Sequence, residues 1–170
     1  MSIKLQAIDS VIEHEGGFVN DPRDPGGATK YGISIRVHKH DIPDRDHDGD
    51  VDANDVKALT VDEAREIYSR DYWDKIRGDK LNPGVAMYLL DTAVNIGVIR
   101  AVGLLQRACN VKMDYVIGLG TIGASNCPGV LDKLHDLRIR YYQSLPGFRI
   151  YGRGWTRRSN EVYAKARSLK

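Results

Sequence analysis

The sequence predicts a mainly α-helical single domain, and three observations carry that expectation. Apolar residues recur at helical spacing in one segment after another. Cap chemistry brackets those segments, with Ser2, Thr60-x-x-Glu63 and Asn82-Pro83 at starts and Gly16-Gly17, Gly97 and Pro146-Gly147 at ends. No stretch alternates apolar and polar residues over a full strand length, which leaves room only for a small β-hairpin near residues 18–33. At 170 residues and 42% hydrophobic content, the chain can bury a core as one domain without metal or disulfide staples.

Ser2 caps a first helix whose apolar positions are Ile3, Leu5, Ile8, Val11 and Ile12, and Gly16-Gly17 stops it. Asp21-Pro22 and Asp24-Pro25-Gly26-Gly27 are turn signals, so residues 20–30 read as loop or short hairpin. A short helix over residues 34–40 ends before Pro43, and an Asp-rich loop follows from Asp44 to Asp55. The capping box at Thr60 opens a second strong helix that runs through Tyr72-Trp73. Asn82-Pro83 starts a third, with Val85, Leu89, Ala93 and Ile96 on one stripe. A fourth covers Ile99 to Cys109, and Tyr115 to Gly123 reads as Gly-rich and irregular. Pro128 opens a long helix carrying Val130, Leu134, Leu137 and Tyr141, and a last helix is expected over Arg157 to Leu169.

Charge is unevenly placed. Asp41 to Asp79 holds 13 acidic and 6 basic residues, whereas Asp136 to Lys170 holds 2 acidic and 9 basic. A basic C-terminal region suits an anionic surface such as a cell envelope; a solvated basic helix is the plain alternative. Two cysteines, Cys109 and Cys127, make no disulfide framework and no metal spacing. The first residues lack an uninterrupted apolar run, so a cytoplasmic site of synthesis is expected, with a separate export system if the substrate lies outside.

Two constellations carry chemistry. Glu15 closes an apolar-periodic helix, and Asp21, Asp24 and Thr29 follow on a turn-rich segment. One carboxyl on a rigid element facing a second on a loop is what glycosidic cleavage asks for: a proton donor on one side of the bond, and on the other a carboxylate that handles the water or the cation. In a cleft floored by apolar side chains, Glu15 would be protonated near neutral pH and serve as the general acid. Asp24, with Asp21 as the alternative, would stay ionised, and Thr29 would help to place the water. The plain alternative for Glu15 is a surface carboxylate at a helix C-terminus, where it opposes the helix dipole.

The second constellation is Asp44-Arg-Asp46-His-Asp48-Gly49-Asp50-Val51-Asp52-Ala-Asn-Asp55, which fits an EF-hand loop. Oxygen ligands fall at positions 1, 3, 5 and 9, and glycine at 6 allows the bend that aims them at one calcium ion. Asp55 stands where such loops carry Glu. An acidic turn kept soluble by its charge is the alternative, but five closely spaced carboxylates repel one another without a cation. A structural calcium ion is therefore expected. His38, His40 and His47 nearby do not make a zinc site, since the surrounding ligands are hard oxygens.

The residues from Glu15 onward also carry a resemblance. Glu15, eight residues, Asp24, four residues and Thr29 are close to the spacing of phage-type lysozymes. The fuller string Glu-Gly-Gly-Phe-Val-Asn-Asp-Pro-x-Asp-Pro-Gly-Gly-Ala-Thr-x-Tyr-Gly-Ile resembles glycoside hydrolase family 108, as do Arg70-Asp71-Tyr72-Trp73, Asp91-Thr-Ala-Val-Asn95 and Arg100 to Gln106. The resemblance implies a lysozyme-like helical fold whose two lobes flank a glycan cleft. It implies N-acetylmuramidase activity in a phage endolysin, on the bond between N-acetylmuramic acid and N-acetylglucosamine. It divides the chain into a catalytic part, 1–92, and a part, 93–170, similar to a peptidoglycan-binding region. Tyr31, Tyr72, Trp73 and Asn95 become candidates for sugar contacts, although Tyr and Trp at helical spacing are also core residues. His14, beside Glu15 on a helix, points elsewhere. The rival readings are a calcium-dependent wall-binding or adaptor protein without catalysis, and a nucleic-acid binder, for which no groove-reading motif is present. The expected state is a monomer acting on peptidoglycan strands.

Overall fold

One helix, apolar on every side, organises the computed structural model, which describes residues 1–21 and 26–169. This is α5 (Pro83–Ile96), opened by Pro83 in its first turn and by the Asn82 side chain, which accepts from the Gly84 and Val85 amides. Every residue from Gly84 to Ala93 is buried. A helix of that kind has to be surrounded. Helices α1 (Ile3–Glu15), α6 (Val98–Ala108), α8 (Val130–Gln143) and α9 (Phe148–Arg167) all pack against it. Gly84 permits a close approach of α9, because a Cβ there would stand 2.6 Å from the Ala166 carbonyl oxygen.

The elements between α1 and α5 build one side of a cleft. Strands β1 (Thr29–Lys30) and β2 (Ile33–Ser34) pair antiparallel, with Thr29 opposite Ser34 and Lys30 opposite Ile33. Tyr31 and Gly32 form the two-residue turn, both with positive φ, as a tight hairpin turn of the primed type requires. Short helices α2 (Ile35–His38) and α3 (Ala53–Ala58) follow, then α4 (Val61–Tyr68), which continues into a π-helical turn at Ser69–Trp73 and a 3-10 turn at Gly78–Lys80. The last short helix, α7 (Leu119–Ala124), lies between α6 and α8.

The expected starts at Ser2, Thr60 and Asn82 are the observed ones, each with its capping hydrogen bonds. Three segments differ. Residues 119–124 form α7 rather than irregular chain; buried Gln106 folds the preceding loop back by donating to Asp114 and Val116 and accepting from the Tyr115 amide. The last helix begins at Phe148, well before Arg157, because Gly152 packs against the Phe148 ring where a Cβ would clash at 2.6 Å. Residues 53–58 are helical because Asp52 and Asp55 make a capping box. Cys109 and Cys127 are free thiols, and burial pushes the Cys109 thiol up to about 11, with Cys127 adding to the effect. No helix among the described residues is long and apolar enough to cross a membrane.

His135 of α8 stacks on Tyr163 of α9, with ring centroids 4.1 Å apart, and its Nδ1 lies 2.9 Å from the Tyr88 hydroxyl of α5. Burial holds its imidazole below the ordinary 6.5; Arg138 adds to that, while Asp136 and Asp132 oppose it. A depressed histidine binds its proton more readily in the unfolded chain, so its contribution is present above the unfolded value and is lost as pH falls through it. Melting temperature should therefore drop between pH 7.5 and pH 5.5, and His135→Gln should flatten that slope. Equal slopes for the two proteins would show that His135 does not set it.

Candidate active site

Glu15 is the last residue of α1, and Gly16 ends the helix at φ 82°, its amide donating to the Ile12 carbonyl. The chain then returns over the carboxyl. The Tyr31 amide donates to the Gly16 carbonyl at 3.1 Å, which brings the hairpin turn onto the end of α1. Gly32 fits there only without a side chain: at φ +77° its Cβ would lie 2.4 Å from the Tyr68 hydroxyl and 2.8 Å from Glu15 Cγ. Tyr68, buried in α4, donates to the Tyr31 carbonyl at 2.9 Å. The π-helical turn after α4 carries Tyr72 to the same place, 5.7 Å from the Tyr68 ring. Such turns recur where a helix must re-aim a side chain at a site.

These residues line a cavity of about 300 Å³ together with His38, Val94, Asn95 and Arg158. The lining is polar, unlike the apolar floor expected around Glu15. Arg158 Nη1, from α9, donates to Glu15 Oε1 at 2.7 Å. Arg158 Nε donates to Asp91 Oδ1 at 2.9 Å; its Nη2 lies 2.8 Å from the same oxygen without hydrogen-bond alignment. Burial disfavours the Arg158 cation, and Asp91 and Glu15 more than offset it, so its pKa is raised. Behind it, Arg138 of α8 donates to Asp91 Oδ2 at 2.6 Å, to Thr92 at 3.1 Å and to the Tyr142 hydroxyl at 2.8 Å. Burial first, then nearby charge that includes Glu15, raises the phenols of Tyr68 and Tyr72, so both remain neutral hydrogen-bonding groups. His38 Nδ1 lies 3.3 Å from Asp41, whose carboxyl Arg70 holds below the usual range.

The expected site residues separate into groups. Glu15, Tyr72 and Asn95 come together in the cavity. Tyr31 does not line the cavity: its backbone carbonyl accepts from the Tyr68 hydroxyl, and its ring packs partly against the core beneath the Lys30 ammonium. Thr29 sits on β1, its hydroxyl donating to the Gly27 carbonyl. Asp21 is half-buried, and Asp24 lies outside the described residues. Trp73 is not a sugar contact: it is 0% exposed, one position beyond Tyr72 in the π-helical turn, with Gly78 against its ring. His14 faces α9, within reach of Glu161 and the Ser10 carbonyl. Sequence reasoning missed Arg158 and His38 as site residues; Arg158 was read as one of the nine basic residues between Asp136 and Lys170.

In the acidic loop, oxygens of Asp44, Asp46 and Asp48 all lie within 4.8 Å of one another. The Gly49 amide, at φ 96°, donates to Asp44 Oδ2, while Asp44 Oδ1 is buried without a partner. Asp50 is exposed. Asp52 caps α3, and Asp55, 1% exposed, accepts from the Arg45 and Asp52 amides, which hold its carboxyl below the usual range.

A helical frame with one carboxyl held over a polar cleft is the architecture of a lysozyme-like glycoside hydrolase. The family model described as Glycosyl hydrolase 108 matches residues 8–97, and the chain belongs to that family. The solved structure of Brucella abortus SagA matches with a TM-score of 0.80 at 36% identity, over 98% of this chain and 94% of that one. No curated protein matches.

The tight fit at Gly32 makes a prediction. Gly32→Ala should lower the rate of glycan hydrolysis at least about tenfold by pushing on Glu15, with about 1–3 kcal/mol of strain. Gly17→Ala, into open space, should change neither rate nor melting temperature. Equal rates for both variants would separate Gly32 from the site.

Proposed function

We propose that the protein is an N-acetylmuramidase that hydrolyses the glycosidic bond between N-acetylmuramic acid and N-acetylglucosamine in peptidoglycan. Glu15 is the general acid. The observation that carries this reading is the Glu15 carboxyl on the end of a rigid helix, fixed by Arg158 at 2.7 Å in a cavity it shares with Tyr72 and Asn95. Arg158 donates to Oε1, and the proton that Glu15 gives to the bridging oxygen, as the bond to the sugar carbon breaks, is carried on Oε2. A carboxylate of the following loop, Asp24 or Asp21, either takes the proton of the water that adds to that carbon or first bonds to the carbon itself, in which case Glu15 takes the proton of the water that displaces it; Thr29 shapes the loop. The separation of the two carboxyls then sets whether configuration is inverted or retained. Asn95 suits the N-acetyl groups, and Tyr72 a sugar face. The basic run from Asp136 to Lys170 suits the anionic envelope around that substrate.

Glu15→Gln should keep the fold and lower the release of new reducing ends on muramic acid by about 10²–10⁴-fold, the usual worth of a general acid. Mass analysis of muropeptides from purified walls measures it. Undiminished release would leave the reading without its acid, and release of nothing by the wild type would favour the adaptor reading.

The acidic loop is proposed to hold a structural calcium ion. Asp44, Asp46 and Asp48 would supply carboxylate oxygens and Asp50 its carbonyl, with Asp52 and Asp55 completing the set. The buried, unpartnered Asp44 Oδ1 supports this, since a buried carboxylate oxygen without a donor is costly. The ion would supply positive charge that cancels the repulsion among these carboxylates. Calcium at about a hundred times its dissociation constant should raise the melting temperature by about 5–10 °C. Asp44→Asn should lose that shift; a melting temperature indifferent to calcium and to chelator would sink the proposal.

A further inference from the structure

Next to the Glu15 cavity lies a second pocket of about 240 Å³, and Asn95 lines both. Its walls are Tyr141, Tyr142 and Trp155, with Arg100 beside them. We propose that this pocket is a further sugar subsite, binding one pyranose unit of the same glycan strand beyond the unit held at Glu15. The proposal rests on the glycan-hydrolase reading of the Glu15 cleft and extends it.

Three features favour this occupant. The first is continuity: Asn95 lines both pockets, so a strand lying past Glu15 and over Asn95 reaches the second. The second is chemistry. The pocket joins aromatic rings to polar groups, and the C–H faces of a pyranose stack on rings while its hydroxyls need polar partners. Trp155 is half-buried, 5.5 Å from the Tyr142 ring and 5.8 Å from the Tyr151 ring, and Tyr141 is half-buried beside Tyr142. The third is rigidity. Arg138 fixes the Tyr142 hydroxyl at 2.8 Å and is itself fixed by Asp91, the residue that also holds Arg158 on Glu15. One buried carboxylate thus sets both the acid and the back wall of the second pocket.

Arg100 narrows the ligand further. It is exposed, 5.9 Å from the Tyr141 ring centroid, donates to the Ile96 carbonyl, and has no carboxylate partner among the described residues. A cation placed beside a sugar-sized aromatic pocket suits an acidic substituent on the bound unit, which peptide-bearing wall strands carry and chitin strands lack.

The test is binding in the Glu15→Gln background, which separates recognition from cleavage. Titration calorimetry would use two six-sugar probes: an N-acetylglucosamine hexamer, and a peptide-bearing peptidoglycan strand of the same length. Tyr141→Ala should weaken both about tenfold, as truncation of an aromatic anchor does, and Tyr141→Phe should hold affinity within twofold. Arg100→Ala should weaken only the peptide-bearing strand. Circular dichroism would check each fold, and exposed Arg100 carries the test if Tyr141→Ala does not fold. Affinities within twofold of the parent for both alanine variants would overturn the subsite, as would a parent that binds neither probe. Equal losses on the two probes for Arg100→Ala would overturn the acidic substituent. If the wild type cleaves no strand while Glu15→Gln binds with this dependence on Tyr141, the hydrolase reading fails and the subsite stands. Cleavage together with binding that ignores Tyr141 has the opposite meaning.

Discussion

Asp91 is the constraint on which the rest of the site depends. It sits inside the central helix at 1% exposure, and arginines from two other helices converge on it, one at each oxygen. Burying a lone carboxylate would be prohibitive, and the two cations make it tolerable. Stability alone does not explain the arrangement, since replacing a buried ion cluster by well-packed apolar residues is often neutral or favourable by about 1–4 kcal/mol. What the cluster supplies is position. Arg138 ties α8 to α5, Arg158 ties α9 to α5, and the nitrogen of Arg158 that Asp91 does not engage reaches Glu15. The Glu15 carboxyl at the end of the first helix is thereby set by the packing of three later ones.

The opposite wall of the cleft is held by a different kind of bonding. Gly32 and the Tyr31 carbonyl lie on Glu15 and Tyr68, and their hairpin is fastened on its far side by Lys30, which donates to the Lys57 carbonyl at the end of α3. The α3 helix exists because Asp52 and Asp55 cap it, and Arg45 joins the acidic segment to Glu63 on α4. The crowded carboxylates from Asp44 to Asp55 are thus connected to the cleft twice, through the hairpin and through α4. Beside these polar bonds, Val56 of α3 and Leu59 after it are buried in the core, so the segment is also anchored by packing.

Local chemistry was legible in the sequence, and distant chemistry was not. Ser2, Thr60 and Asn82 announce their helices through hydrogen bonds that close within three residues, so pattern alone finds them. Glu15 was legible because its carboxyl stands at a helix end where the dipole gives it no support. Arg158 was not, since its two partners lie 67 and 143 positions away and its own helix reads as a solvated basic face. Tyr72 and Trp73 show the same limit at shorter range. They are adjacent aromatics, but a π-helical turn aims one into the cleft and the other into the core, and periodicity cannot divide them.

The geometry bears on how the chain is divided. The family model matches residues 8–97, and the sequence invites a catalytic first half followed by a wall-binding second half. Yet α5 runs across that boundary, and the cavity around Glu15 is closed by Asn95 from its last turn and by Arg158 from α9. A fragment ending after α4 would lack the helix against which α1, α6, α8 and α9 pack. It would also leave Glu15 at a helix C-terminus without Arg158. The second half therefore helps to close the cavity at Glu15. Tyr142, on the wall of the neighbouring pocket, hangs through Arg138 from the same buried carboxylate that holds Arg158 on Glu15.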